Sequence, residues 1–250
     1  MSQKSNSLAL IDLGYSGRRC EHGRTVSPFR RVGRQTLLER TVRRLSESSL
    51  IDTIAIVGDH EFSGLIAQSC TQPAVWLPCD APSSVTRAWH AADELDAEWI
   101  VTVGANSVFV DPILIDRLLA TAWGSPKSDV VAFTSALAQN GLCKQSAGLA
   151  GDVCNRRVLK KLMRDPLFAE ETRCLSQLLI SMPDAVLTRL IPLPSVLEHT
   201  DLSFALETEE DLDRALMILD ATSDDCDYRD LIQLASRFES LRGINRSSGF

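Results

Sequence analysis

V-G-A-N-S-V-F-V-D-P, residues 103–112, lies where a short apolar run, Trp99 to Val103, gives way to an amphipathic helix starting at Asp111–Pro112. Proline suits the first turn of a helix, where its missing N–H would have no helical partner, and the Asp before it reads as the N-cap. A strand that ends in a small polar turn and then a proline-started helix is a common place for a nucleotide and its metal. The turn therefore sets a nucleotide-binding α/β fold as the frame for the rest of the chain.

Outward from that turn, strands and helices alternate. Ser7–Leu13 reads as a buried strand and Gly14–Arg34 as a loop rich in Gly, Arg and Ser. Thr36–Ser46 places Leu37, Leu38, Val42 and Leu45 at helical spacing. Ile51–Gly58, Ala74–Leu77, Trp99–Val103 and Asp129–Ser135 read as strands, and Glu61–Cys70, Ser84–Leu95 and Pro112–Trp123 as helices. This alternation implies a three-layer α/β/α sandwich around a mostly parallel sheet.

After residue 135 the pattern loosens. Gly141–Gly151 reads as a loop or irregular strand, Asn155–Arg164 and Thr172–Ser181 as helices, and Ala185–Leu193 as a strand. Glu209–Thr222 is a helix with Leu212, Ala215, Leu216 and Leu219 on one face. Ser223–Asp225 breaks the chain before a last helix, Tyr228–Leu241, and a polar tail, dividing it into an α/β domain over 1–222 and a helix with its tail over 223–250.

Composition narrows the function classes. The 250 residues suffice for a full core, and 33 acidic against 26 basic residues give a formal charge of −7. That balance argues against nucleic acid, which needs a positive field. Seven cysteines, at 20, 70, 79, 143, 154, 174 and 226, form no C-x-x-C pair and read as reduced cytosolic thiols. Cys20 and His22 have no second Cys/His pair to complete a zinc site. The first apolar run, Leu8–Leu13, is interrupted by Asp12 and too short to span a membrane, so the expected location is the cytoplasm.

The loop after the first strand reads L-I-D-L-G-Y-S-G-R-R-C-E-H-G-R, residues 10–24. Its glycines allow close backbone approach to a ligand, and Arg18, Arg19 and Arg24 carry charge suited to a triphosphate, although a solvated surface loop has the same composition. Neither a Walker pattern nor G-x-G-x-x-G occurs.

This loop resembles the signature of the spore-coat-polysaccharide type of cytidylyltransferase, I-I-Q-A-R-M-G-S-T-R-L-P-G-K, which maps onto Leu10 to Arg19 without a gap. Four further segments resemble that family in the same order. V-G-R-Q-T-L-L-E-R (32–40) is similar to L-G-G-K-P-L-L-E-R, and D-A-P-S-S-V-T-R-A-W-H-A-A-D-E-L-D-A-E-W-I-V (80–101) to the stretch that closes on the base and runs into the metal turn. G-L-A-G-D-V-C-N-R-R-V-L (148–159) resembles a sugar-side segment, and S-F-A-L-E-T-E-E-D-L-D-R-A (203–215) the closing motif D-T-P-E-D-L. Residues 103–112 themselves resemble the metal turn G-D-x-P-F/L-I-D-P, with Asn106 on its Asp.

The resemblance implies the nucleotide-diphospho-sugar transferase fold. It also implies a nucleotide site of Leu13, Gly14, Gly17, Arg19, Arg24 and Ser84, with Arg19 and Arg24 the catalytic cations, Asp152 facing the sugar, and Asn106 and Glu207 holding Mg²⁺. The implied reaction is in-line attack of a sugar or sugar-acid hydroxyl on the α-phosphate of an NTP, CTP first among them, for surface polysaccharide synthesis. Pyrophosphate leaves, and catalysis is by charge and positioning, with no dedicated base in view.

Three departures bear on activity. Asn106 offers a dipole where the family has a carboxylate, Arg24 replaces a Lys, and Gln35 loses a charge outright. Two readings therefore stand: a working transferase, favoured by Arg19, Arg24 and Glu207, or a degenerate nucleotide-binding or regulatory relative, favoured by Asn106 and Gln35. A glycosyltransferase would want a D-x-D after a strand, and the D-x-D strings at 211–213 and 225–227 are misplaced for it.

The remaining conspicuous residues read structurally. Asp111 is an N-cap, the four tryptophans pack in core or rim, and His90 and His199 are lone histidines. The Arg-rich turn Thr41–Arg44 reads as a solvated face, and the last helix either caps the domain or packs in a homodimer.

Overall fold

The computed structural model describes residues 6–16, 26–69, 71–134, 148–165, 168, 175–180, 182, 186–198, 204–222 and 226–237. In chain order the elements begin with β1 (Ser7–Asp12), a helical turn α1 (Leu13–Ser16), a hairpin of β2 (Arg31–Val32) and β3 (Gln35–Thr36), and α2 (Leu37–Ser46). Next come β4 (Thr53–Gly58), α3 (Ser63–Ala67), β5 (Val75–Pro78), α4 (Ser84–Glu94), β6 (Trp99–Val103), α5 (Pro112–Trp123) and β7 (Val130–Thr134). The last part holds β8 (Asp152–Asn155), α6 (Arg156–Leu162), α7 (Leu175–Ile180), β9 (Thr188–Pro192), α8 (Ser195–Glu198), α9 (Glu209–Ala221) and α10 (Tyr228–Arg237).

Seven strands form one sheet in the order β5-β4-β1-β6-β8-β7-β9. All neighbours are parallel except β8, which runs antiparallel to both β6 and β7. The register on β1 sets Leu8 beside Thr53 on one side and Ile100 on the other. Both faces are covered, as the unbroken apolar run of β1 requires of a central parallel strand. Ala9 and Ile11 join a core with Leu37, Leu38, Val42 and Leu45 of α2 and Leu114 and Leu118 of α5. Leu8 and Leu10 join a second core with Val85, Ala88 and Ala91 of α4 and Val158 and Leu159 of α6. This is the expected α/β/α sandwich of the nucleotide-diphospho-sugar transferase type.

Helix starts are set by local chemistry. Thr36 and Glu39 form a reciprocal capping box on α2, and Thr208 and Asp211 do the same on α9. Ser83 caps α4 and Asn155 caps α6. Asp111, fully buried, caps α5 by accepting from the N–H groups of Ile113 (2.9 Å) and Leu114 (3.1 Å), with Pro112 opening the helix.

Two expectations need correction. The face of α2 at Thr41–Arg44 is not a solvated one: Thr41 and Arg44 are buried. Arg44 Nε donates to Val110 O (3.2 Å) and Nη2 to Cys226 O (2.9 Å), so backbone carbonyls from two other segments draw the guanidinium inside. The second correction is β8. Residues 152–155 precede the expected helix as a strand, because they complete the hydrogen bonding between β6 and β7. The last helix packs on the core: Tyr228, Leu231 and Ala235 belong to the cluster that holds α2 and α5, and the Tyr228 N–H donates to Asp111 Oδ2 (2.8 Å).

Candidate functional site

Parallel strands deliver their C-terminal ends to one edge of the sheet, and in open α/β sheets ligands bind there. Asp12 ends β1, and residues 104–107 turn the chain after β6. Because β8 is antiparallel, its first residue, Asp152, lies opposite Thr102 at that same edge.

At the end of β1 the Asp12 carboxylate takes a two-pronged ion pair from Arg87 of α4, Nε to Oδ1 at 2.8 Å and Nη2 to Oδ2 at 2.9 Å. Arg87 is 2 % exposed, and its Nη1 also donates to the carbonyls of Ala81 (2.5 Å) and Pro82 (3.0 Å). One buried guanidinium thus joins the start of the nucleotide-type loop to the segment leading into α4. Gly14 donates its N–H to Asp12 Oδ1 (2.9 Å) and lies against the same group, since a Cβ on Gly14 would stand 2.5 Å from Arg87 Cζ.

The turn after β6 is held on several sides. The Thr41 hydroxyl bonds to the carbonyls of Leu37 (3.0 Å) and Ala105 (3.1 Å). Asn106 Nδ2 donates to Val26 O (2.7 Å), just beyond the Arg-rich loop, and reaches Leu206 O at 3.5 Å, beside Glu207. Asn106 Oδ1 is buried and accepts no hydrogen bond. Phe109 and Phe204 meet edge to face at 5.7 Å, bringing the same two segments together. Gly148 (φ +80°) and Gly151 thread between them: a Cβ would lie 2.1 Å from Phe204 O at the first and 2.0 Å from Thr102 O at the second.

Of the residues expected in the site, Leu13 is a core side chain, and Gly14 spends its N–H on Asp12. Ser84 is the buried first residue of α4, Asp152 is half-buried at the edge, and Glu207 is exposed just before α9. Gly17, Arg19 and Arg24 lie outside the described residues, as do Cys20, His22 and His199. The sequence reading missed Asp12 and Arg87, although a signal existed: Asp12 is the one charge in an apolar strand, and Arg87 occupies the apolar face of α4 between Ser84 and Ala91. It also missed His60 and Asp80, paired at 2.7 Å beyond β4 and β5, where His60's backbone and ring hydrogen bonds hold the Asp80 carboxyl below its ordinary range.

At the two residues expected to hold a metal, Asn106 offers one neutral, buried amide oxygen and Glu207 one exposed carboxylate. Among the described residues no three His, Cys, Asp or Glu side chains cluster to hold an ion. Both are oxygen donors, the kind of ligand that a hard cation such as Mg²⁺ takes.

A doubly covered sheet with one antiparallel strand, and a polar turn gathering segments at its edge, is the layout of a nucleotide-binding α/β fold. The chain belongs to the family of the MobA-like NTP transferase domain, whose profile matches residues 16–185. No curated protein matches it in sequence. Among solved structures it is similar to a cytidylyltransferase from Leptospira borgpetersenii serovar Hardjo-bovis, at TM-score 0.77 and 15% identity over 99% of both chains. It is also similar to a CMP:2-keto-3-deoxy-manno-octonic acid synthetase complexed with CTP, at TM-score 0.64 and 13% identity over 87% of this chain and 99% of that one. A Mycobacterium tuberculosis H37Rv protein in complex with manganese aligns at TM-score 0.58 and 12% identity, over 86% of this chain and 100% of that one.

Proposed function

We propose that the protein transfers CMP from CTP to a hydroxyl of a sugar or sugar acid, in the cytoplasm, as a step in surface polysaccharide synthesis. The observation that carries this reading is the Asn106 side chain, which contacts Val26 at the end of the Arg-rich loop and Leu206 beside Glu207. Two segments with family-like sequence and the residue just past the Arg-rich loop, far apart in the chain, thereby meet at the edge where an α/β sheet binds its ligand. The synthetase complexed with CTP and the manganese complex have the same fold and support a nucleotide and a divalent ion as ligands.

In the reaction the acceptor hydroxyl oxygen forms a bond to the α-phosphorus and gives up its proton to water, as the bond from that phosphorus to the pyrophosphate oxygen breaks in line. Arg19 and Arg24 bind the triphosphate and neutralise the charge that builds on the leaving pyrophosphate. Asp12 and Arg87 fix the start of their loop, and Asp152, opposite Thr102 on β6, is the residue assigned to the sugar in this reading. Asn106 and Glu207 are the residues that would hold Mg²⁺, which would supply further charge neutralisation.

Calorimetric titration with CTP, ATP, GTP and UTP, with and without Mg²⁺, tests the reading. Magnesium-dependent binding of CTP, followed by pyrophosphate release in a sugar screen, is the expected result. Arg19→Ala should weaken nucleotide binding by about 1–3 kcal/mol, as for a hydrogen bond to a charged group. Binding that ignores Mg²⁺ and leads to no turnover would favour the degenerate nucleotide-binding relative, to which the amide at residue 106 points.

A further inference from the structure

We infer that Asn106 ties the turn after β6, the end of the Arg-rich loop and the segment before α9 together through its amide, so that they stay assembled without a cation. The hydrogen bonds themselves carry this. The Asn NH₂ group can donate to the carbonyls of Val26 (2.7 Å) and Leu206 (3.5 Å) at once, which an ionised Asp of the same shape cannot. An Asp in the same place would press a carboxylate oxygen against two carbonyl oxygens, a repulsion that a cation between them relieves. Residue 106 is thus a positioning residue whose neutral amide does the joining that a carboxylate does only with a metal. Its Oδ1 is buried and accepts no hydrogen bond.

The cation arm of this inference rests on reading residue 106 as the metal position of the proposed function, while the amide tie stands on geometry alone. The test is thermal unfolding of the full chain without nucleotide, in chelator and then in millimolar Mn²⁺ or Mg²⁺. The wild type should keep one Tm throughout. Asn106→Asp should lose about 4–8 °C in chelator and regain most of it with either ion. Asn106→Asp combined with Glu207→Gln should show the loss without the recovery.

Asn106→Ala, which removes the donors and adds no charge, should lose about 2–4 °C and ignore the ions, and it answers the question even where the Asp variant fails to fold. A wild type that loses stability in chelator overturns the inference, as does an Ala variant as stable as the wild type. An Asp variant that no ion rescues overturns the cation arm. With nucleotide absent, these outcomes are separate from the proposed function: failure to bind any NTP would defeat that function and leave the tie standing.

Discussion

Arg87 and Asp12 meet through two parallel hydrogen bonds beneath Gly14, and this pair joins α4 to the end of β1. Removing one partner leaves the other's charge stranded in a site where Arg87 is 2 % exposed. Arg87→Met strands the Asp12 carboxylate, a fifth exposed, and should cost about 1–3 kcal/mol in urea unfolding. Arg87→Lys should recover little of it, because a point-like ammonium cannot match the two-pronged geometry.

Gly14 and Arg87 should behave as one unit. Gly14→Ala puts a Cβ at 2.5 Å from a guanidinium that its hydrogen bonds hold in place, and should cost about 1–3 kcal/mol in the wild type. In the Arg87→Met background the same change should be close to neutral. A double-mutant cycle with no coupling would show that the two residues do not touch.

Gly151 faces backbone instead of a side chain. A Cβ there would lie 2.0 Å from the Thr102 carbonyl oxygen, so Gly151→Ala has to pry β8 from β6. Guanidinium unfolding should show a loss above about 3 kcal/mol. Gly64, in α3 with nothing within 4 Å of its missing Cβ, supplies the control: Gly64→Ala should stabilise by up to about 1 kcal/mol.

Burial pushes the Asp111 carboxyl above its ordinary value of 3.8, against the opposing pull of hydrogen bonds from Tyr228, Leu114 and Ile113 and of the Arg44 charge. The fold therefore holds the Asp111 proton more tightly than the unfolded chain does. Its contribution to stability is greatest below pH 3.8 and is lost as pH rises through the raised folded-state value. Unfolding free energies of the wild type and Asp111→Asn, measured over that acidic range, should differ by an amount that falls as pH rises. A difference that grows with pH would mean the hydrogen bonds outweigh the burial.

The Cys154 thiol lies inside the second core, where burial first and the Asp152 charge next push it up to about 12. It should resist iodoacetamide at neutral pH in the folded protein and react at a rate set by global opening. Peptide mapping after timed alkylation, with half-exposed Cys79 as the internal comparison, checks this.

Much of the scaffold is legible in the sequence, for identifiable reasons. β1, β4, β6 and β7 are buried apolar runs between helices whose apolar faces and caps are strong, and α5 begins at the expected Pro112. The hairpin of β2 and β3 has two residues per strand and carries no periodic signal. β8 is four residues, D-V-C-N, and becomes a strand through its neighbours β6 and β7. Arg44 reads as surface charge by its spacing, and only the tertiary approach of Val110 and Cys226 reveals it as buried.

The site is legible where its signal is local and hidden where it depends on partners. The turn at 103–112 announces itself through the order strand, polar turn, Asp-Pro. Asn106 looks in sequence like a weakened metal ligand, and its use as a donor to Val26 and Leu206 emerges only when residues 80 and 100 positions away arrive beside it. Asp12 and Arg87, 75 positions apart, each look anomalous alone and make sense only as a pair.

Asp111 serves two helices at once, capping α5 with one oxygen and receiving the Tyr228 N–H of α10 on the other. That second bond closes across 117 positions, so the turn that gathers the site is completed by a stretch of chain synthesised long after it. During translation the sheet can form with this carboxylate half-satisfied, and the nascent protein should gain its final rigidity at the turn in a late step. The last hydrogen bond at this turn is thus supplied by α10.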